Sequence, residues 1–371
     1  MGNLVYFCAG ADKRMVSRRN IKALLLNVPN DARSERIIQR SLGLINSLGA
    51  QTLMLDSGGY QLLKRQEKGW EIGFDKEAPI YRPGKINLTP WHVVQAAKAL
   101  NPNILVALDF PVKKTKEREE REKEFRGKLM LNVKWAIQTA KLREKYCPGI
   151  KLFIPVQCYS LEQLDIFFKK IQGVAFDGVS MPVRNLKIEE IFRFLIRFRQ
   201  MGIKRVHLLG TSSFYNMALC AYVARHSFEW VSLDSTSWKI AAHHSRYLNR
   251  DLSRTWIADD GIIDDHEKLP CRCPWCKGKS YSDIQGLGPR EKVAFLRFHN
   301  LWATEKATRD LFENASSPEE LAGFLKKRNT NPKKAEEVYR CLIGLYGREN
   351  LAPSDSRRPI SRGRGWCLWF N

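Results

Sequence analysis

No run of about 18 apolar residues occurs in the chain, and the longest apolar stretches are strand-length pieces such as Ile104–Leu108, so no membrane-spanning helix is expected. Residues Met1–Cys8 lack a basic segment followed by a long apolar one and a small-residue cleavage site. A secretory leader is therefore not expected, and the cytoplasm is the expected location. A disulfide framework is missing as well: the nine cysteines are odd in number and scattered, except for Cys271, Cys273 and Cys276, which read as a metal site. No internal repeat at a fixed period is present. Acidic residues are few, 39 against 62 Lys and Arg, for a formal charge of +23 over 371 residues. That balance is expected of a protein that meets a polyanion, with nucleic acid the first expectation.

A composition of 44% hydrophobic and 11% aromatic residues excludes a mainly disordered chain. From about residue 50 to 240, short apolar or β-branched runs alternate with longer amphipathic patterns, as in repeated βα units around a parallel sheet. The expected strands are Thr52–Leu55, Ile104–Leu108, Leu152–Val156, Gly173–Val179, Arg205–Leu209 and Trp230–Leu233. Between them Trp91–Leu100, Lys116–Tyr146, Leu161–Ile171, Ile188–Gln200 and Phe214–Ala224 read as helices. An N-terminal strand near Leu4–Cys8 and one more after residue 250 would bring the count to eight, so the fold class is α/β and the simplest architecture a closed (β/α)8 TIM barrel. An open doubly wound sheet is the alternative. The expected organisation is a barrel over residues 1–310, with a zinc subdomain at about 254–305, a helical extension over 311–353 and a basic tail over 354–371. That tail either touches nucleic acid or is a solvated end.

Several strands end on a polar or acidic residue: Asp56, Asp109, Gln157 and Asp234. In a parallel barrel these positions face one rim, where catalytic groups converge. One such residue alone would be read as a helix N-cap, but four strand ends argue for a shared cleft. Asp56-Ser57-Gly58-Gly59-Tyr60-Gln61 adds a glycine pair, which lets the backbone turn tightly or approach a flat ligand closely. Cys271-Arg-Cys273-Pro-Trp-Cys276 is followed 23 residues later by His299, and three thiolates with one imidazole complete the shell of a structural zinc ion. His266 is a rival fourth ligand.

Both motifs resemble the tRNA-guanine transglycosylase superfamily, whose hallmark is an Asp-Ser-Gly-Gly-[Phe/Tyr]-Gln segment after an early barrel strand and whose zinc site has the same Cys-x-Cys-x2-Cys then His-Asn-Leu order. The resemblance spans roughly residues 50 to 305 and implies a (β/α)8 barrel with a zinc-bearing insert. It implies that Asp234, in Val231–Ser235, is the nucleophile and Asp56 the general acid and base. Asp109, Gln157 and Gly178 match positions that read the purine edge, and His207–Gly210 is similar to the strand that closes the base pocket. Gly210 is thereby expected to contribute to substrate binding, and Tyr60 or a nearby side chain to supply a stacking wall. These residue types suit the chemistry. Base exchange at an anomeric carbon has oxocarbenium character, so a carboxylate can form a covalent glycosyl intermediate while a second carboxyl group gives and takes the base's proton.

Two departures bear on the substrate. After the nucleophile, bacterial tRNA-specific members carry a Pro-Thr-Arg segment, whereas this chain reads Asp234-Ser-Thr-Ser-Trp-Lys-Ile240. That pattern looks more like archaeal members, which insert 7-cyano-7-deazaguanine (preQ0), and like the DNA-modifying, DpdA-type branch. Members that accept an aminomethyl base carry a glutamate just after Gly178, but Val179–Val183 has none, which favours a neutral cyano group. Few residues follow the helical segment Glu291–Glu313, so the C-terminal RNA-binding modules of archaeal tRNA enzymes are not expected. The expectation is exchange of guanine for preQ0 in DNA, with a partner ATPase as in the DNA branch. An archaeal-type tRNA enzyme is the alternative, and a catalytically silent zinc-barrel binding subunit is the alternative of another class.

Overall fold

Strands rich in Val, Leu and Ile that are followed by helices cannot pair through tight hairpins, and each must cross over to a parallel neighbour. In the computed structural model, which describes residues 2–15, 21–29, 34–113, 115, 117–184, 186–257, 268–328 and 331–346, that logic closes a barrel. In chain order the elements begin β1 (Asn3–Ala9), β2 (Ala23–Asn27), α1 (Glu35–Leu48), β3 (Thr52–Asp56) and α2 (Gly59–Glu67). A small sheet follows, β4 (Glu71–Gly73), β5 (Tyr81–Arg82) and β6 (Lys85–Asn87), then α3 (Pro90–Leu100), β7 (Ile104–Val106), α4 (Arg118–Tyr146), β8 (Lys151–Pro155) and α5 (Leu161–Lys170). Next come β9 (Gly178–Pro182), α6 (Ile188–Gln200), β10 (Arg205–Leu209), α7 (Phe214–His226), β11 (Trp230–Ser235) and α8 (Ser237–His243). The remainder is a hairpin, β12 (Arg246–Leu248) and β13 (Arg254–Trp256), and the helices α9 (Tyr281–Gln285), α10 (Pro289–Glu313), α11 (Pro318–Arg328) and α12 (Pro332–Cys341).

Eight strands pair in the order β1-β11-β10-β9-β8-β7-β3-β2, all parallel, and close on themselves. The architecture is a (β/α)8 TIM barrel. Two expectations need correction. The eighth strand does not come after residue 250 but is β2, Ala23–Asn27, which pairs with both β1 and β3; among the described residues the later β12 and β13 pair only with each other. And the strand expected over Gly173–Val179 begins only at Gly178, because Gly173 takes a positive φ of 84° in the turn after α5.

Alternation sorts the barrel interior into two halves. Phe7, Leu25, Met54, Val106 and Phe153 form a buried apolar cluster inside β1, β2, β3, β7 and β8. Opposite them Ser180, His207 and Ser232 occupy register-paired positions of β9, β10 and β11, all fully buried. The main core lies between strands and helices and extends to Leu321, Leu325, Ala335 and Val338, which dock α11 and α12 against the barrel. A separate small core gathers Tyr247, Ile257, Leu269, Ile284 and Leu296 around the three clustered cysteines. Residues 354–371 and His266, named above as tail and rival ligand, lie outside the described residues.

Candidate active site

Asp56 is the last residue of β3, Asp234 the last but one of β11, and Asp109 and Gln157 follow β7 and β8, so all four stand at the C-terminal rim. The hexapeptide at Asp56 builds the contact between them. Gly58, at φ 81°, turns the chain into α2, a conformation that costs an L side chain about 1–2 kcal/mol. Gly59 then passes so close to Asp109 that a Cβ there would lie 2.3 Å from its carbonyl oxygen and 2.4 Å from Oδ1. This approach lets the Ser57 hydroxyl donate to Asp109 Oδ1 at 2.8 Å and accept from the Gly59 N–H at 3.1 Å. On the other side Gln157 Nε2 donates to Asp109 Oδ2 at 2.5 Å, while Gln157 Oε1 accepts from the Val112 N–H at 3.3 Å. Asp109 and Gln157 are thus one hydrogen-bonded unit, locked from both sides.

Burial raises the Asp56 carboxyl to about 7, helped by the charges of Asp109 and Asp234 and opposed by the Ser57 and Gly58 N–H groups. Burial likewise raises Asp109 to about 6, held back by the Ser57 hydroxyl and the Gln157 amide. A carboxyl group poised near neutrality is suited to giving and taking a proton. Asp234 is engaged on one oxygen: Oδ1 accepts from the Gly210 N–H at 2.8 Å and lies 3.3 Å from His207 Nε2. Gly210 takes a positive φ of 74° just after β10, which aims its N–H at the carboxylate. Its contact in this structure is therefore with Asp234.

Gly178 does not join this group. It is the first residue of β9, paired with Phe153 in mid-barrel, whereas the rim is reached at Pro182, about four residues or roughly 13 Å further along the strand. A Cβ on Gly178 would meet the Phe153 ring at 2.7 Å, so this glycine makes room for barrel packing and is not at the site proper. Tyr60, 47% exposed at the start of α2, sits at the rim with its hydroxyl accepting from Arg184 at 3.1 Å and Lys64 Nζ 5.0 Å from its ring centre.

The second constellation lies beside the barrel. Ligand atoms of Cys271, Cys273, Cys276 and His299 all fall within 4.8 Å of one another, and all four residues are buried. His299 Nδ1 is 3.2 Å from Cys276 Sγ and 3.6 Å from Cys273 Sγ, while Nε2 donates to the Leu248 carbonyl at 2.8 Å. That outer hydrogen bond leaves the Nδ1 lone pair facing the sulfurs, as a metal-bound imidazole requires. The Tyr247 ring stacks on His299 at 3.7 Å, closing the site. Three sulfurs and one nitrogen at this spacing can hold a metal ion such as zinc, with no position left for a substrate.

Compared with known families, residues 23–315 match the model described as queuine tRNA-ribosyltransferase. The chain belongs to this family. It is similar to the tRNA-guanine(15) transglycosylase of Korarchaeum cryptofilum, 22% identical over 303 residues, covering 78% of this chain and 45% of the relative. It is 25% identical over 260 residues to the enzyme of that name from Methanococcus aeolicus, 64% of this chain and 37% of the relative. A third relative of the same name, from Sulfolobus acidocaldarius, is 21% identical over 304 residues, 78% of this chain and 53% of the relative. The chain thus spans about half or less of the length of these relatives.

For this member of the queuine tRNA-ribosyltransferase family, several residues of the site were not singled out by sequence reasoning. Ser57 orients Asp109 and could have been read from the hexapeptide, but the role of its hydroxyl depends on β7 lying alongside. Ser235, the last residue of β11, folds its hydroxyl into the turn that enters α8, accepting from the Ser237 N–H at 2.9 Å and from Ser212 at 3.2 Å. The Ser-Thr-Ser stretch after Asp234 is therefore a local turn device. Lys239 donates to the Gly10 carbonyl at 2.8 Å and to Asp12 at 3.2 Å, and Arg297 of α10 reaches the same Asp12 oxygen at 3.2 Å. Asn300, next to the metal-site histidine, ties α10 to α8 and β12 by donating to the Trp238 and Arg246 carbonyls and accepting from the Leu248 N–H. The metal subdomain is thereby braced against the helix that follows Asp234.

Proposed function

We propose that the chain is a base-exchange transglycosylase that replaces guanine in tRNA with a 7-deazaguanine base, through a covalent glycosyl ester on Asp234. The observation that carries this reading is the division of labour at the rim: Asp234 is held at Oδ1, with Oδ2 open among the described residues and available for attack, and Asp56 is raised to about 7. Asp234 Oδ2 attacks C1′ of the target nucleotide as the bond to guanine breaks, and Asp56 delivers a proton to the departing base. The incoming base attacks C1′ in turn, giving its proton to Asp56, so two inversions retain the configuration. The Asp109–Gln157 unit, supported by Ser57, is assigned to the base edge, and Tyr60 to a stacking contact at the mouth. Zinc in the Cys3His cluster supplies a structural crosslink when bound.

The relatives' names specify tRNA and so favour tRNA as the polymer. The DNA substrate and the ATPase partner expected from the sequence gain no support from them. Basic charge does not separate the two polymers, because both present phosphates. A neutral, nitrile-bearing base such as preQ0 is supported by the lack of any carboxylate over Val179–Val183, the end of β9 and the residue that follows it. The test is incorporation of labelled guanine and preQ0 into total tRNA and duplex DNA side by side, with Asp234→Asn as control. Label in tRNA, with an adduct trapped on wild type and none on Asp234→Asn, is expected. Label in DNA alone would overturn the polymer assignment, and base release without exchange would overturn the reaction.

A further inference from the structure

Beneath Asp234 the barrel interior holds a polar layer that the reaction as described leaves unused. His207 and Ser232 are register partners on β10 and β11, Ser180 is the partner of His207 on β9, and all three are fully buried. His207 Nδ1 is 2.9 Å from Ser232 Oγ, and the ring stands edge-on to Phe7 at 5.9 Å. Its other nitrogen, Nε2, lies 3.3 Å from Asp234 Oδ1 and, among the described residues, neither Nε2 nor Ser180 Oγ closes a hydrogen bond. A buried imidazole nitrogen without a partner is costly, and such groups in a native interior call for a reason.

Resting on the transglycosylase reading, we propose that His207 is a positioning residue for the nucleophile, donating from Nε2 to Asp234 Oδ1 during the covalent steps. Among the described residues the Ser232 hydroxyl is the hydrogen-bonding neighbour of Nδ1; because the carboxylate that faces Nε2 can only accept, the ring proton is assigned to Nε2 and the Ser232 hydroxyl, able to play either part, donates to Nδ1. Catalytic hydrogen bonds are commonly long in the ligand-free state and tighten in the reacting complex. A small ring rotation closes this one. Oδ1 then carries two donors, the Gly210 N–H and His207 Nε2–H, and attack is confined to Oδ2. In the first displacement the Oδ2–C1′ bond forms, the bond from C1′ to the guanine nitrogen breaks, and its electron pair leaves with the base, which Asp56 protonates. In the second the incoming base's nitrogen attacks C1′, and the Oδ2–C1′ bond breaks with its pair returning to Asp234. Charge that returns to the carboxylate is met by donors already in place on Oδ1, as in an oxyanion hole. The arrangement thus serves ester breakdown above all.

The experiment compares His207→Phe, which keeps an aromatic ring but no donor, with His207→Gln, which keeps a donor near the Nε2 position. Measured are kcat, KM for the free base, rates of adduct formation and breakdown, and thermal midpoint. We expect kcat to fall about 100-fold in His207→Phe with KM for the base and the midpoint unchanged, the adduct persisting longer, and His207→Gln recovering to within about tenfold of wild type. Activity of His207→Phe within about threefold of wild type would overturn the proposal. So would equal losses in both variants alongside lowered midpoints, which mark a packing role. Nitrogen-15 spectra of the imidazoles give a readout independent of turnover: His207 should carry its proton on Nε2, and a proton on Nδ1 would overturn the proposal even if His207→Phe failed to fold. Wild-type protein silent on every polymer would sink the transglycosylase reading instead, and the imidazole spectra would still decide the pairing.

Discussion

Asp56 and Asp109 are carboxyl groups that the fold holds partly protonated near neutrality, at about 7 and about 6, with burial the first cause for each. In the unfolded chain an aspartate titrates near about 3.9, so both groups bind their protons more tightly when folded. Their contribution to stability is complete below about pH 4 and is lost as pH rises through about 6 to 7. The thermal midpoint, followed by calorimetry, should therefore decline from pH 5 to pH 8, and Asp56→Asn should flatten part of that decline. A variant whose pH profile runs parallel to wild type would show that Asp56 does not titrate in this window. The same value bears on turnover, because Asp56 must be protonated in one half-reaction and ionised in the other. A rate maximum near neutrality follows, with activity falling on both sides.

The start of α2 is the element on which the site turns, since one short segment supplies Asp56, the Ser57 hydroxyl and the glycine that lets Asp109 approach. Gly59→Ala would place a methyl group inside the Asp109 carbonyl and carboxylate contacts. Something must move, and overpacking of this kind costs about 1–3 kcal/mol. Denaturant unfolding should register that loss, and exchange should drop more steeply than stability because the displaced group is the one assigned to the base. Gly127, inside α4 with open space around its Cα, is the control: Gly127→Ala should leave exchange unchanged and stabilise by about 0.5–1 kcal/mol. Equal behaviour of the two alanines would remove the argument for close approach. The long helices α4, α6 and α10 belong to the same scale, and their apolar faces are what the core takes up.

Across the whole molecule the metal cluster and the barrel are coupled through α10, which carries both His299 and Asn300. Asn300 anchors Trp238 and Arg246, on either side of the turn after α8, and Arg297 reaches Asp12 beyond the end of β1. Removal of metal should therefore be felt at the rim. We expect a strong chelator, or Cys273→Ser, to lower the thermal midpoint by roughly 5 °C or more and to reduce exchange in step with metal content, with zinc restoring both in the wild type. Metal-free protein of unchanged midpoint would show that the four side chains need no ion to hold the subdomain.

What the sequence determined by itself was whatever depends on near neighbours along the chain. The glycine pair after Asp56, the cysteine spacing with a helical histidine, and the alternation of apolar runs with amphipathic stretches are local patterns, and each carries its physics within about 30 residues. Tertiary structure alone decided the rest. Closure of the barrel through Ala23–Asn27, and not through a late strand, is a matter of pairing between distant segments, and a five-residue run such as Ala23-Leu-Leu-Leu-Asn27 does not announce its partners. The place of Gly178, at the start of β9 and away from the rim, was hidden for the same reason: which end of a strand reaches the rim follows from its register with β8 and β10. His207 acquires its role only when β10 and β11 lie side by side, because a hydrogen bond to a carboxylate acts over about 3 Å and chain order says nothing about which side chains come that close.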